Sequence, residues 1–215
     1  MWVFTYFTEA EKQMKILSAA ALLLVMASSV SGMIISADAD GYNNGTDIST
    51  AFAGMTLSSV GGYPGLDGIV YAWGDGLAST GTNVFANNLS FQRQWYAELT
   101  EGFALRADFE QLANSVAIDI IGDDFGDYGV LTVYDSSGVL IDSVQSPQLA
   151  YGQVFRAIVD RPSFDIAYII AGGSPSTEDT VHLDNLVANM IPEPATLCLF
   201  GLGALFLTRT RRILN

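Results

Sequence analysis

Between residues 34 and 190 the sequence never sustains an apolar period of 3.6 residues; its apolar residues come in short runs cut by Gly, Pro, Asp, Asn and Ser. A chain patterned this way turns often and buries alternate side chains, which predicts strands rather than helices. Val116, Ile118 and Ile120 alternate ahead of the turn-rich stretch Gly122-Asp-Asp-Phe-Gly-Asp-Tyr-Gly129. Residues 130–134 and 139–144 flank Asp135-Ser-Ser-Gly138, a polar four-residue turn that makes the two runs a hairpin. Runs at 154–159, 166–171 and 181–187 follow, parted by Arg161-Pro162 and by Gly172-Gly173-Ser174-Pro175. The earlier half is looser, with strands expected at 51–57, 69–73 and 83–86, and a further one within 98–110. Strands at this spacing predict an all-β chain, a single β-sandwich or jelly roll over residues 34–190.

Charge divides the chain the same way. Residues 34–190 carry 20 carboxylates against four arginines, a formal net charge of −16, and no lysine. Nucleic-acid phosphates need lysine and arginine for neutralisation, so nucleic-acid binding is excluded as a function. Cys198 is the only cysteine, so no intramolecular disulfide forms and the body is held by its core.

The ends are apolar and bordered by cations. From Met14, Lys15 precedes a run of about ten apolar residues closed by Ser29, Ser31 and Gly32, which reads as a secretory signal peptide over residues 14–32. Residues 1–13, with Glu9 and Glu11, do not suit the front of a signal and read as an over-extended start or a long leading region. At the other end Pro192-Glu193-Pro194 interrupts any preceding element, residues 195–208 are apolar, and Arg209, Arg211 and Arg212 follow. As a helix that run spans about 21 Å, short for a bilayer. The arginines behind it hold that side in the cytoplasm and place the acidic body outside. Both ends therefore give one topology.

Together, the Pro192-Glu193-Pro194 motif, the apolar run with Gly201 and Gly203 and the arginine tail resemble the PEP-CTERM sorting signal over residues 191–215. The resemblance implies processing near Glu193 by an exosortase of a Gram-negative bacterium, after passage through the secretion translocon. It also implies a membrane-anchored precursor that ends at the cell surface or in an extracellular matrix, with a role in biofilm or exopolysaccharide. The mature form is expected to run from near Met33 to near Pro192. The body resembles the sandwich domains often found ahead of such signals, on Gly45-Thr46, residues 52–57, 116–120 and 131–138, and Leu183-Asp184-Asn185-Leu186.

Within the body the chemistry is sparse. That second resemblance implies a structural calcium held by Asp40, Gly45 and Asp184, hard oxygen donors suited to the ion; the plain alternative for Asp184 is a solvated carboxylate. Asp123, Asp124 and Asp127 lack EF-hand spacing and read as a hairpin loop. Trp73 and Trp95 are candidates for stacking on glycan rings, among Tyr63, Tyr71, Tyr96 and Tyr128; aromatics of a sandwich are otherwise core. His182 is the single histidine and no G-x-S-x-G elbow accompanies it, so no catalytic residue is assigned. The expected function is non-enzymatic contact with extracellular polysaccharide, with a secreted carbohydrate-active enzyme or a purely structural matrix protein as alternatives.

Overall fold

The computed structural model describes residues 32–74, 76–89, 94–95, 102–176 and 179–191. The chain divides into two units, Met1–Gly32 and Met33–Asn215, and all the described residues except Gly32 belong to the second. The signal peptide, Pro192-Glu193-Pro194, the apolar run 195–208, the three terminal arginines and Tyr96 lie outside the described residues.

In chain order the described strands begin with β1 (Met33–Ala37), β2 (Thr46–Asp47), β3 (Met55–Val60), β4 (Tyr71–Gly74), β5 (Asn83–Ala86) and β6 (Gln94–Trp95). They continue with β7 (Ala104–Gly122), β8 (Gly129–Tyr134), β9 (Leu140–Gln145), β10 (Val154–Asp160), β11 (Ile166–Gly173) and β12 (Val181–Met190). The described residues are all-β apart from one 3-10 turn at Ala39–Gly41, and every strand pair among them is antiparallel.

β7 organises the molecule. Its first half pairs with β3 on one side and β11 on the other, and β11 leads on to β8 and β9. Its second half pairs with β10 and β12, and β12 carries β1 and β6. One strand thus contributes to two layers, and alternate residues from both enter one core. From the first layer come Leu57, Leu105, Leu131 and Ile169; from the second come Val116, Ile118, Ile120, Val159 and Leu183. Each such aliphatic side chain removed from water contributes about 1.5–3 kcal/mol. β2, β4 and β5 form a separate three-stranded sheet whose Ala72 and Phe85 join the same core.

Several strands differ from expectation for identifiable reasons. The runs at 98–110 and 116–120 fuse into β7, because nothing between Glu110 and Ser115 is Gly or Pro. The chain there bends through register shifts: β12 skips Asn114, whose Oδ1 instead accepts from Asn189 Nδ2 at 2.8 Å. The run at 51–57 starts late, at Met55, because Gly54 sits at φ +85° in a turn. β1 was not anticipated: Met33, Ile34 and Ile35 continue the apolar character of the preceding signal in sequence, yet they pair with Met190, Asn189 and Ala188.

Candidate functional site

Alternation along β12 turns Val181 and Leu183 to the core and His182 and Asp184 to the other side, yet all four are buried. The second side is covered at this point by the β4–β5 connection. Asp184, with no exposed surface, accepts at Oδ2 from the Ser79 N–H (3.0 Å), the Thr80 N–H (3.0 Å), Ser79 Oγ (2.9 Å) and Thr80 Oγ1 (3.1 Å). Its Oδ1 accepts from the Asn185 N–H at 2.8 Å. Burial lifts the Asp184 pKa above its ordinary value, opposed by the bonds from Thr80, Ser79 and Asn185.

Asp119 faces Asp184 across the β7–β12 ladder and is 7% exposed. It receives the Arg156 guanidinium at Oδ1 (2.8 Å), with Ser79 Oγ (2.8 Å) and Asn185 Nδ2 (3.0 Å) at Oδ2. Asn185 is the bulge residue between Asp184 and Val187 and adopts φ +49°, a conformation asparagine tolerates. Ser79 Oγ has one proton and lies within bonding distance of both carboxylates, so it cannot donate to both at once. A proton retained on Asp184 would complete the set.

The same connection is pinned further along. Asp40 Oδ1 accepts from the Thr82 N–H (2.7 Å) and Asn83 N–H (2.9 Å), and Asp38 Oδ2 approaches Thr80 Oγ1 at 3.3 Å. Gly81 sits at φ +45° against Asp40, where a Cβ would collide with the carboxylate. Asp40 and Asp184 are therefore brought to one segment, residues 79–83. The Gly45 N–H donates to the Ala72 carbonyl at 2.8 Å. The N–H groups and hydroxyls of Ser79 and Thr80 all lie within bonding distance of Asp184 Oδ2, and the two bonds to Asp40 Oδ1 come from N–H groups.

The aromatic candidates separate by burial. Trp95 is 0% exposed, paired opposite Val181, with its indole N–H donated to the Phe85 carbonyl at 3.1 Å. The expectation that it stacks on glycan is corrected: the ring is core. Trp73 is half-buried on β4, and Tyr71 donates its hydroxyl to Asp67 at 2.9 Å. Tyr168 stacks on Tyr134 (centroids 4.7 Å apart, planes 6° apart), and the Arg106 guanidinium lies 3.8 Å from its centroid. Exposed rings missed by sequence reading are Phe125 and Tyr151.

Phe125 belongs to the acidic β7–β8 loop. The carboxylate oxygens of Asp123, Asp124 and Asp127 lie within 4.8 Å of one another. Asp127, nearly fully buried, accepts at Oδ2 from the Asp123 (2.7 Å) and Asp124 (2.9 Å) N–H groups, and Thr180 Oγ1 donates to Asp123 Oδ2 at 2.9 Å. Burial first, then the adjacent Asp127, pushes the Asp123 pKa up from 3.8 to about 7. The folded state thus binds this proton more tightly than the unfolded chain. Its stabilising contribution is fully present below 3.8 and is lost as pH rises through about 7. The melting temperature is expected to fall between about pH 4 and pH 7, and to fall less in Asp123→Asn. Identical pH profiles for the two proteins would show that Asp123 does not hold the proton.

The family described as the PEP-CTERM protein-sorting motif matches residues 191–212. No curated protein matches the chain. Among solved structures, the K2 cleaved adhesin domain of Lys-gingipain is similar at TM-score 0.47 and 12% identity, over 74% of this chain and 100% of that one. The CBM22-1 xylan-binding domain from Paenibacillus barcinonensis Xyn10C is similar at 0.42 and 9%, over 77% of this chain and 100% of that one. Likenesses this distant identify no ligand for the chain. The family match concerns the tail alone. From Ile191, whose N–H still donates to the Leu112 carbonyl of the folded body, the chain carries the PEP-CTERM protein-sorting motif.

Proposed function

We propose that the protein is exported by a signal peptide over residues 14–32, anchored by residues 195–208, and cut near Glu193. The released or surface-held β domain then contacts extracellular polysaccharide of a Gram-negative matrix without turning it over. The observation that carries this reading is continuity: β12 ends at Met190 and the sorting motif begins at 191, so the folded domain itself is what is delivered. The non-enzymatic part is supported by how the acids are used. Glycoside hydrolysis needs two accessible carboxylates flanking a sugar bond. The facing pair Asp119 and Asp184 is buried, and its oxygens are committed to Ser79, Thr80, Asn185 and Arg156. Polysaccharide contact is supported by rings left on the surface, at Tyr63, Phe125 and Tyr151.

A glycan array probed with the full-length chain in detergent, once with calcium and once with a chelator, tests the proposal. Retention of polysaccharide in both conditions is expected, because Asp184 has protein donors in the N–H groups of Ser79, Thr80 and Asn185. A folded protein that binds no glycan would remove the polysaccharide contact and leave a structural matrix role. Turnover of a bound glycan, abolished by one carboxylate substitution, would make the protein an enzyme.

A further inference from the structure

Among the described residues, the most exposed large apolar side chain projects from a loop tied on both sides. Phe125 is 87% exposed. Immediately beyond it the Gly126 and Asp127 N–H groups both donate to the Leu149 carbonyl (3.0 and 3.2 Å), and the Leu149 N–H returns to the Asp127 carbonyl at 2.7 Å. On the other side Asp127 Oδ2 takes the N–H groups of Asp123 and Asp124. Gly126 holds φ +117°, open to glycine and strained for other residues, which lets the chain reverse directly after the ring. A phenyl ring on a loose loop would carry no message. A ring held out by a loop tied on both sides has had its ordering cost met before any partner arrives.

Beside it lies an open cavity of about 310 Å³ lined by Phe125, Gly126, Gln148, Leu149, Ala150 and Gln153. That volume falls at the small end of ligand clefts. Its wall combines an aromatic ring, two carboxamides and backbone groups. The Gln148 amide reaches the Gly126 carbonyl at only 3.4 Å, a weak bond that a ligand hydroxyl can replace. Tyr151, 60% exposed, stands on the turn whose flanks, Ala150 and Gln153, line the same cavity.

Charge narrows the ligand. Asp123, Asp124 and Asp127 occupy this loop, and Asp179 accepts from the Tyr128 N–H beside it. Each described arginine is engaged elsewhere: Arg106 with Asp108, Arg156 with Asp119, Arg161 with Asp165. Among the described residues, an anionic ligand would meet carboxylates and no uncommitted arginine. A sugar ring offers an apolar C–H face to the phenyl and hydroxyls to the amides, and it needs no counter-charge.

We propose that the Phe125 cleft is the polysaccharide subsite of this protein and that it takes neutral sugar units, excluding uronate-rich or otherwise acidic chains. This rests on the glycan-contact reading above and adds its location and substrate class. The test is titration calorimetry on the full-length chain in detergent with neutral probes (laminarihexaose, cellohexaose, mannohexaose), acidic probes (oligoalginate, oligogalacturonate) and oligolysine. Phe125→Ala, Phe125→Trp and Tyr151→Ala are run alongside; these side chains are exposed, so the fold is expected to be unaffected. The expected result is binding of at least one neutral probe and no acidic one. Affinity should fall about tenfold or more in Phe125→Ala and be kept in Phe125→Trp. Wild-type affinity for glycan in Phe125→Ala overturns the subsite while leaving glycan contact standing. Preference for an acidic probe overturns the charge argument. Salt-sensitive binding of oligolysine alone makes the cleft a site for cationic peptide, and failure of every glycan to bind the wild type overturns both readings together.

Discussion

Replacing Asp184 with alanine is expected to cost on the order of 3 kcal/mol and to lower the melting temperature by roughly 10 °C. One oxygen of that carboxylate accepts the Ser79 and Thr80 N–H groups and lies within bonding distance of both hydroxyls, and the other accepts the Asn185 N–H. The hydroxyls can turn to new partners. The Ser79 and Thr80 N–H groups cannot, and each buried donor left unmet costs about 1–3 kcal/mol. Ser79 Oγ also serves Asp119, so the loss should spread to the Arg156 pair. Asp184→Asn keeps one acceptor oxygen and should fall between the two. Thermal unfolding with calcium and with chelator measures the effect and its origin together. A cost under about 0.5 kcal/mol would show that the β4–β5 connection is not held by this residue. A cost that appears only with calcium present would show that an ion, not Ser79 and Thr80, is the partner.

The second large effect is expected at the tail. Intact mass of the protein recovered from cells should show a species starting near Met33 and ending near Pro192, without residues 195–215. Glu193→Ala should leave the C-terminal segment in place in nearly all molecules, because the sorting motif spans residues 191–212 and Glu193 is its single acidic residue. Exchanging Arg209, Arg211 and Arg212 for asparagine should weaken the cytoplasmic hold on the terminus, since the positive flank sets orientation. A wild-type mature form that kept residues 195–215 would remove the processing proposal. A tag fused after Asn215 that antibodies reach from outside intact cells would reverse the topology.

Local chemistry made much of the architecture readable before any coordinates. The hairpin around Asp135-Ser-Ser-Gly138 appears as expected: Gly138 is at φ +80°, and Asp135 Oδ1 accepts from the Ser137 and Val139 N–H groups at 2.8 and 2.9 Å. What escaped was decided by partners far away in sequence. Ser79 and Thr80 read as part of a glycine-rich connection, because the carboxylate that orders them is more than one hundred residues distant. Trp95 read as a surface ring because the strand it joins, β12, begins at Val181. Asp184 was expected to share a structural calcium with Asp40 and Gly45; its contacts with Ser79 and Thr80, from a connection far away in sequence, were not foreseen. Phe125 carried no sequence signal beyond its place in a polar turn; its significance comes from the ties to Leu149, which no spacing reveals.

The pairing of Met33 with Met190 sets the two ends of the domain side by side. From Met190, β12 runs ten residues back to Val181, which faces Gly122 at the root of the Phe125 loop. At about 3.3 Å per residue that is roughly 30 Å. The root of the acidic loop and the start of the sorting motif therefore lie at opposite ends of one strand.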